Sequence, residues 1–239
     1  MVGNTAFLAN GYNGIGDRLT IVNVIDPSSP ALLGSYTTAG DATDIEIVED
    51  LAFVITSYKG FAVYDISNLT YPVKLAQYLG ESTSDADLGD LEIVGDLAFL
   101  SYWDYNLKVL NISDLSDIRV VSEFNESMNA FSAHIDAERN IAFLCDLELR
   151  LLLLDIQDPA QLTEVTRYFD GGKPNRIEVA GNFIYMTDQE NGLVILHMEE
   201  SGETTSSGTS SDGFIMSLEA LLLVGGLSVI IVIFWRLKK

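Results

Sequence analysis

The chain is short of basic residues, of histidine and of cysteine, and each shortage excludes a class of function. Its 13 lysines and arginines face 35 aspartates and glutamates, a formal net charge of −22. A surface of that sign repels nucleic-acid phosphates, and no basic stripe offsets it. Nucleic-acid binding is therefore excluded. The one cysteine, Cys145, rules out an intrachain disulfide. It follows Ala142, Phe143 and Leu144 in a strand-like run and has no basic partner nearby, so it reads as a small buried apolar side chain rather than a nucleophile. His134 and His197 are the only histidines, and no Gly-x-Ser-x-Gly, His-Glu-x-x-His or glycine-rich phosphate loop accompanies them. No catalytic residue is assigned, and a non-enzyme is expected.

What the chain has in abundance is repetition. A small residue followed by an aromatic recurs as Ala6-Phe7, Ala52-Phe53, Ala98-Phe99, Ala142-Phe143 and Ile184-Tyr185, at spacings of 46, 46, 44 and 42 residues. Further landmarks keep step with it. Asp65, Asn111, Asp155 and His197 come next, and then Tyr78, Phe124 and Tyr168. The first copy follows with Asn23 and Tyr36 once its second loop, Asn10 to Arg18, is allowed extra length. Each copy reads as four short strands, here called a to d. In the second copy these are Ile45–Val48, Ala52–Thr56, Phe61–Ile66 and Val73–Tyr78, rich in apolar and β-branched residues. Asp, Asn, Ser and Pro punctuate the c–d turns, as in Asp26-Pro27-Ser28-Ser29-Pro30 and Asp158-Pro159-Ala160. Four strands per copy at this period is the signature of a β-propeller blade. The expected fold is all-β: a propeller of four-stranded antiparallel blades with about four and a half repeats, plus one C-terminal transmembrane helix. A β-sandwich with coincidental spacing is the competing arrangement.

Leu19-Thr20-Ile21-Val22-Asn23-Val24, Phe61-Ala62-Val63-Tyr64-Asp65-Ile66 and Leu193-Val194-Ile195-Leu196 resemble the LVIVD repeat of a β-propeller family. The resemblance covers residues 1–198 and implies a surface-exposed propeller. Asn23, Asn111 and His197 stand where that family has Asp, which counts against a binding role for the position.

Residues 1–199 form the repeat region. They are followed by a Ser/Thr/Gly-rich linker over 200–213, an apolar segment over 214–235 and a basic tail over 236–239. As a helix the apolar segment would span roughly 33 Å, enough for a hydrocarbon layer of about 30 Å. Trp235 sits at an interface position, and Arg236, Lys238 and Lys239 favour the cytoplasmic side. The expectation is a single-pass cell-membrane protein with its propeller outside and its C-terminus in the cytoplasm. The linker, Asp212-Gly213-Phe214, the span and the basic end resemble archaeal surface-protein anchor tails, with Asp212 in the place of a proline. Asn68-Leu69-Thr70 and Asn125-Glu126-Ser127 are glycosylation triplets suited to an exported domain, as is Asn111-Ile112-Ser113 at a strand end. Met1 aligns with the end of a strand a, and the last copy stops before its strand d. The sequence therefore reads as a piece of a longer repeat protein or, alternatively, as a small ring closed by both ends.

Two features point to one face. Length variation falls on the b–c and d–a connections, which emerge together, and Tyr12, Asp85 and Asp87 lie in the longest of them. Counting back from the landmarks, Glu46, Glu92, Asp136 and Glu178 form an acidic series at the start of strand a, with Asp44, Asp90, His134 and Arg176 two residues earlier. Strand alternation puts both series on one side of strand a, at the channel mouth. The first series has the hard oxygen chemistry for Ca²⁺. The opposing reading is that each acid bonds to backbone or to a basic neighbour. A binding or scaffold module with a protein or glycan ligand is expected. A glycan-directed hydrolase or lyase using the carboxylates, or a Ca²⁺-dependent adhesion element, is the alternative.

Overall fold

The structure, a computed structural model, describes residues 3–10, 18–38, 40–56, 60–79, 88–102, 106–125, 130–146, 150–169, 171–198, 217–224 and 227–234. The first sheet holds β1 (Thr5–Asn10), β2 (Arg18–Asn23) and β3 (Ala31–Thr37). The second holds β4 (Ala42–Val48), β5 (Leu51–Thr56), β6 (Gly60–Asp65) and β7 (Val73–Tyr78). The third holds β8 (Leu88–Val94), β9 (Leu97–Tyr102), β10 (Asn106–Asn111) and β11 (Arg119–Phe124). The fourth holds β12 (Ala130–Asp136), β13 (Ile141–Asp146), β14 (Arg150–Asp155) and β15 (Thr163–Tyr168). The fifth holds β16 (Pro174–Ala180), β17 (Phe183–Asp188), β18 (Gly192–Met198), β19 (Ser217–Val224) and β20 (Leu227–Phe234). The pairings of the second sheet are antiparallel between chain neighbours, as the repeat period requires. The chain divides into two compact units, 1–131 with the turn 159–161, and 132–158 with 162–239.

Alternation along the middle strands explains why the sheets stack. Phe53 and Ile55 of β5 and Phe61 and Val63 of β6 point into one cluster with Leu91, Leu100 and Leu110 of the third sheet. Their neighbours Ala52, Val54, Ala62 and Tyr64 point the other way, into a cluster with Leu19 and Ile21 of the first sheet. Tyr36 and Tyr64 meet edge to face across that second cluster, with ring centroids 5.2 Å apart. In the other unit, Phe143, Cys145, Leu151 and Leu153 pack against Ile184, Met186, Val194 and Leu196. Each fully buried large side chain contributes about 1.5–3 kcal/mol, so a sheet that lost its neighbour would lose most of its stabilisation.

The turns are built from the repeat's polar residues. The side chain at the end of strand c accepts the N–H two residues on. Asn23 does so from Ile25 at 2.9 Å, Asp65 from Ser67 at 2.8 Å, Asn111 from Ser113 at 2.9 Å and Asp155 from Gln157 at 2.8 Å. Asn accepts this bond as well as Asp does, so Asn23 and Asn111 keep the turn without the charge. A second such turn follows at Asp26, Asn68 and Asp114. Hydrogen bonds from Ser28, Ser67 and Ser116 hold the carboxyls of Asp26, Asp65 and Asp114 below the usual range. The ladder between strands c and d slips by one residue at the same place in four sheets, leaving Leu33, Leu75, Val121 and Val165 as the extra residue. Such recurrence marks a bulge built into the repeat.

Just after that bulge, strand d meets the following c–d turn. At Gly34 the turn comes so close that an added Cβ would lie 2.5 Å from the Leu69 carbonyl oxygen. Ser122, at the equivalent place of β11, donates its hydroxyl to the Pro159 carbonyl. Ala76 occupies that place in β7, in the cluster that also takes Leu115.

The described residues of the apolar segment differ from the sequence expectation. Ser217–Val224 and Leu227–Phe234 are strands that extend the fifth sheet from β18, with Leu196 opposite Ala220 and Ala220 opposite Ile231. No helix among the described residues is long and apolar enough to cross a membrane. Two physical reasons favour strands here. Among the described residues β19 takes the strand d position and pairs the main-chain groups along the edge of β18. The apolar segment is rich in valine and isoleucine and carries Gly225-Gly226 at its middle, which is hairpin chemistry.

Two substitutions test the turn and stacking account. Gly34→Ala must displace backbone, so it should lower unfolding free energy by about 1–3 kcal/mol in urea titration. Glu49 opens its a–b turn with φ of 53°, where Gly3, Gly95 and Gly181 open theirs. Glu49→Gly should stabilise by about 1 kcal/mol in the same measurement, because a side chain is strained in this region.

Candidate functional site

The first strand of each complete sheet has seven residues, and its pairing fixes which positions correspond. The a–b turn has two residues after β4, β8 and β16 but four, residues 137–140, after β12. This shifts the fourth copy by two. The place of Glu46, Glu92 and Glu178 is taken there by His134, and the place of Asp44, Asp90 and Arg176 by Ser132. Asp136 is corrected accordingly: it ends its strand beside the a–b turn and does not belong to the acidic series. Its carboxylate pairs with Arg139, whose guanidinium also donates to Asn182 at 2.7 Å. Burial alone would raise the Asp136 carboxyl, but the Arg139 hydrogen bonds and charge outweigh it and hold it below the usual range.

A second recurring bulge shapes the same end of these strands. Thr43, Gly89 and Asn175 are extra residues in the ladders of β4, β8 and β16. Bulges re-aim neighbouring side chains, here Asp44, Asp90 and Arg176. One result is a bond between sheets. The Leu91 N–H, on the free edge of β8, donates to Asp44 of β4 at 3.3 Å and to Asp90 at 3.1 Å. In the other unit Ser132 plays the part of Asp44, accepting the Ile177 N–H at 3.5 Å. Ser132 was missed in the sequence because counting at constant spacing put His134 in its place.

In the first unit β4 lies between β1 and β8. The ionisable side chains it meets are acidic: Asp44 and Glu46 on β4 itself, Asp90 and Glu92 on β8, and none on β1 or β5. Burial, then the charge of Glu92 and then that of Asp44, push the Glu46 carboxyl up to about 7. The Glu46 carboxyl can therefore hold a proton near neutral pH. No group of three or more His, Cys, Asp or Glu side chains suited to a metal ion occurs among the described residues. Glu178 is exposed on β16, and His134 lies 6.4 Å from the Phe143 ring.

The remaining candidates are placed as follows. Tyr12, Asp85 and Asp87 lie outside the described residues. Asn68 and Asn125 are exposed, and Asn68 Oδ1 accepts the Thr70 hydroxyl at 2.8 Å. Cys145 is fully buried in the apolar cluster of its unit. His197 lies against Phe183, with ring centroids 4.8 Å apart and the planes tilted by 40°. Asp188, unremarked in the sequence, ends β17 only 5% exposed. One of its oxygens accepts the N–H groups of Glu190 at 2.8 Å and Asn191 at 2.7 Å. The other is buried against Gly172 with no hydrogen-bond partner among the described residues.

The sign of the pH dependence follows from Glu46. Its carboxyl is raised in the folded chain, so between about 4.5 and 7 the folded state holds more proton than the unfolded one. Stability should fall as pH rises through that window. Water screens a half-buried group, so the effect is about 1 kcal/mol rather than the full linkage value. Glu46→Gln should raise the melting temperature at pH 8 by about 2–4 °C and flatten the slope between pH 5 and 8 in calorimetry.

Comparisons with known proteins agree with this geometry. No curated protein matches the chain. Among solved structures, the computationally designed Ika8 protein superposes with a TM-score of 0.61 at 10% identity, over 96% of this chain and 71% of that one. The computationally designed Ika4 protein gives 0.51 at 11% identity, over 67% of this chain and 92% of that one. At such identities the likeness concerns the fold alone. The LVIVD repeat model matches residues 2–38, 39–79, 86–126 and 171–198, four β-propeller-like sheets of the five. The unmatched fourth sheet has the same strand order and is the copy with the longer a–b turn. By these four matched repeats, the chain belongs to the LVIVD-repeat family.

Proposed function

We propose that this chain is a β-propeller interaction module, held at the outer surface of a cell membrane and binding a protein or glycan through its b–c/d–a face. The observation that carries this reading is the contrast between scaffold and connections. Strand order, the c–d bulge and the c–d turns repeat from sheet to sheet, while the b–c and d–a connections differ in length and composition. The starts of the first strands, on the same face, differ too, with Asp44, Asp90, Ser132 and Arg176 at one equivalent place. A constant scaffold with one variable face is the design of a recognition module. Membrane attachment rests on residues 214–235 and the basic end that follows. In hydrocarbon an open hairpin leaves backbone groups unsatisfied, so crossing requires this segment to leave β18 and form a helix.

A second reading is favoured by one observation. Glu46, protonated near neutral pH beside the carboxylate of Glu92, is the kind of pairing glycoside hydrolysis uses. One experiment separates the two. The full chain in detergent is tested on a glycan array and then incubated with each glycan it binds. The module reading expects binding that survives Glu46→Gln, falls at least about tenfold with Tyr12→Ala or Asp85→Asn, and leaves the glycan intact. Cleavage that Glu46→Gln abolishes would establish the hydrolase instead. For attachment, the chain should stay with membranes through an alkaline carbonate wash, while a 1–199 form should be released. Release of the full chain would overturn the anchor.

A further inference from the structure

Among the described residues two buried side-chain atoms have no hydrogen-bond partner, Ser101 Oγ and Asp188 Oδ2, and only the second belongs to a carboxylate. Asp188 ends β17 beside the b–c turn and is 5% exposed. Its Oδ1 takes the N–H groups of Glu190 at 2.8 Å and Asn191 at 2.7 Å. Oδ2 lies toward the d–a connection. Gly172 comes so close there that an added Cβ would overlap the whole carboxyl group. A buried carboxylate oxygen to which nothing donates is costly, and a structure keeps one where a partner will meet it.

Two other copies show how the same place is met. Strand pairing sets Asp188 opposite Gly192, as it sets Thr56 opposite Gly60 and Asp146 opposite Arg150. Thr56 brings its own donor, and its hydroxyl bonds to the Gly60 carbonyl at 3.3 Å. Asp146, also a buried carboxylate, has a basic residue at the paired position. Asp188 has a glycine there, and its hairpin turn, Gln189-Glu190-Asn191, holds no basic residue. Lys173 of the adjoining turn is engaged by Glu190 at 3.1 Å.

We propose that Asp188 anchors a site for a cationic side chain, the guanidinium or ammonium group of a protein bound at the b–c/d–a face. This rests on the reading of that face as a recognition surface and adds the chemistry it recognises. Both kinds of connection build the site. The b–c turn fixes the carboxylate through Oδ1, and the d–a turn 171–173 lies against Oδ2. The two turns are tied by the Gln189 N–H, which donates to the Lys173 carbonyl at 2.9 Å, and by the exposed Lys173–Glu190 pair. Gly171, with φ of 87°, and Gly172 form the segment that an entering cation displaces. The chain's net charge of −22 draws cationic partners. At Oδ2 such a group gains a charge-assisted hydrogen bond away from water, where the bond is stronger than at the surface.

The test is NMR of the full chain in detergent, titrated with methylguanidinium and separately with methylammonium. The site predicts saturable shifts of the Gly172, Glu190 and Asn191 amide signals. A stronger response to the first probe assigns the site to arginine, and to the second, lysine. Asp188→Asn keeps an oxygen for the Glu190 and Asn191 N–H groups, and Asp188→Thr installs the residue of the second copy. Both should weaken binding by at least about tenfold while the melting transition is kept. Shifts that persist in both variants, or none with either cation, overturn the proposal, and Oδ2 is then met by an internal water only. A response to Ca²⁺ alone also overturns it, as a metal site. Glycan-array binding that survives Asp188→Asn while both cations fail sinks this site and leaves the loop-face reading standing.

Discussion

In the second sheet the middle strands carry large apolar side chains on both faces, Phe53, Ile55 and Val63 toward one neighbour and Val54, Ala62 and Tyr64 toward the other. A sheet of that composition has no face to show to water. It is stable only when a sheet lies against each side, and the repeat supplies those sheets at a fixed spacing. The bulge in strand d, the close approach at Gly34 and the Ser122 hydroxyl on the Pro159 carbonyl all serve this stacking. Phe183 of the fifth sheet, 44% exposed, lacks such cover among the described residues.

The polar residues of the repeat divide into two groups with different duties. Those at the end of strand c and in the c–d turn are spent on backbone N–H groups, which is why Asp and Asn interchange there. Those near the start of strand a are less uniform. Asp44 and Ser132 reach across to a neighbouring N–H, while Glu46 sits half-buried among other acids. A turn residue is held by geometry common to all copies. A residue on the b–c/d–a side is under no such shared constraint and is free to differ between copies, as a recognition surface requires.

Much of this was legible in the sequence. The four strands read in the second copy match β4 to β7 to within a few residues, because apolar alternation and turn chemistry agree there. Counting back from the landmarks put Glu46, Glu92, Asp136 and Glu178 in one series, whereas the strand bounds put Glu46, Glu92 and Glu178 at equivalent positions and Asp136 two residues further along its strand. Counting back at a fixed offset from Ala142 crossed an a–b turn two residues longer than the others, which only the strand bounds reveal. The bulges were invisible because one added residue in a run of alternating side chains leaves no compositional mark. The fate of residues 217–234 was decided in the sequence by length and apolarity, whereas in the structure pairing with β18 also counts.

The central claim is that each sheet is held by the next one's side chains more than by its own. Leu100 of β9 shares a cluster with Phe53, Ile55 and Phe61 of the preceding sheet. Leu100→Ala, at a cost of about 2–5 kcal/mol, is the most direct probe, read by residue-resolved hydrogen exchange. The account predicts faster exchange in β5 and β6 as well as in β9 and β10. Loss of protection confined to β9 and β10, with β5 and β6 unchanged, would contradict it.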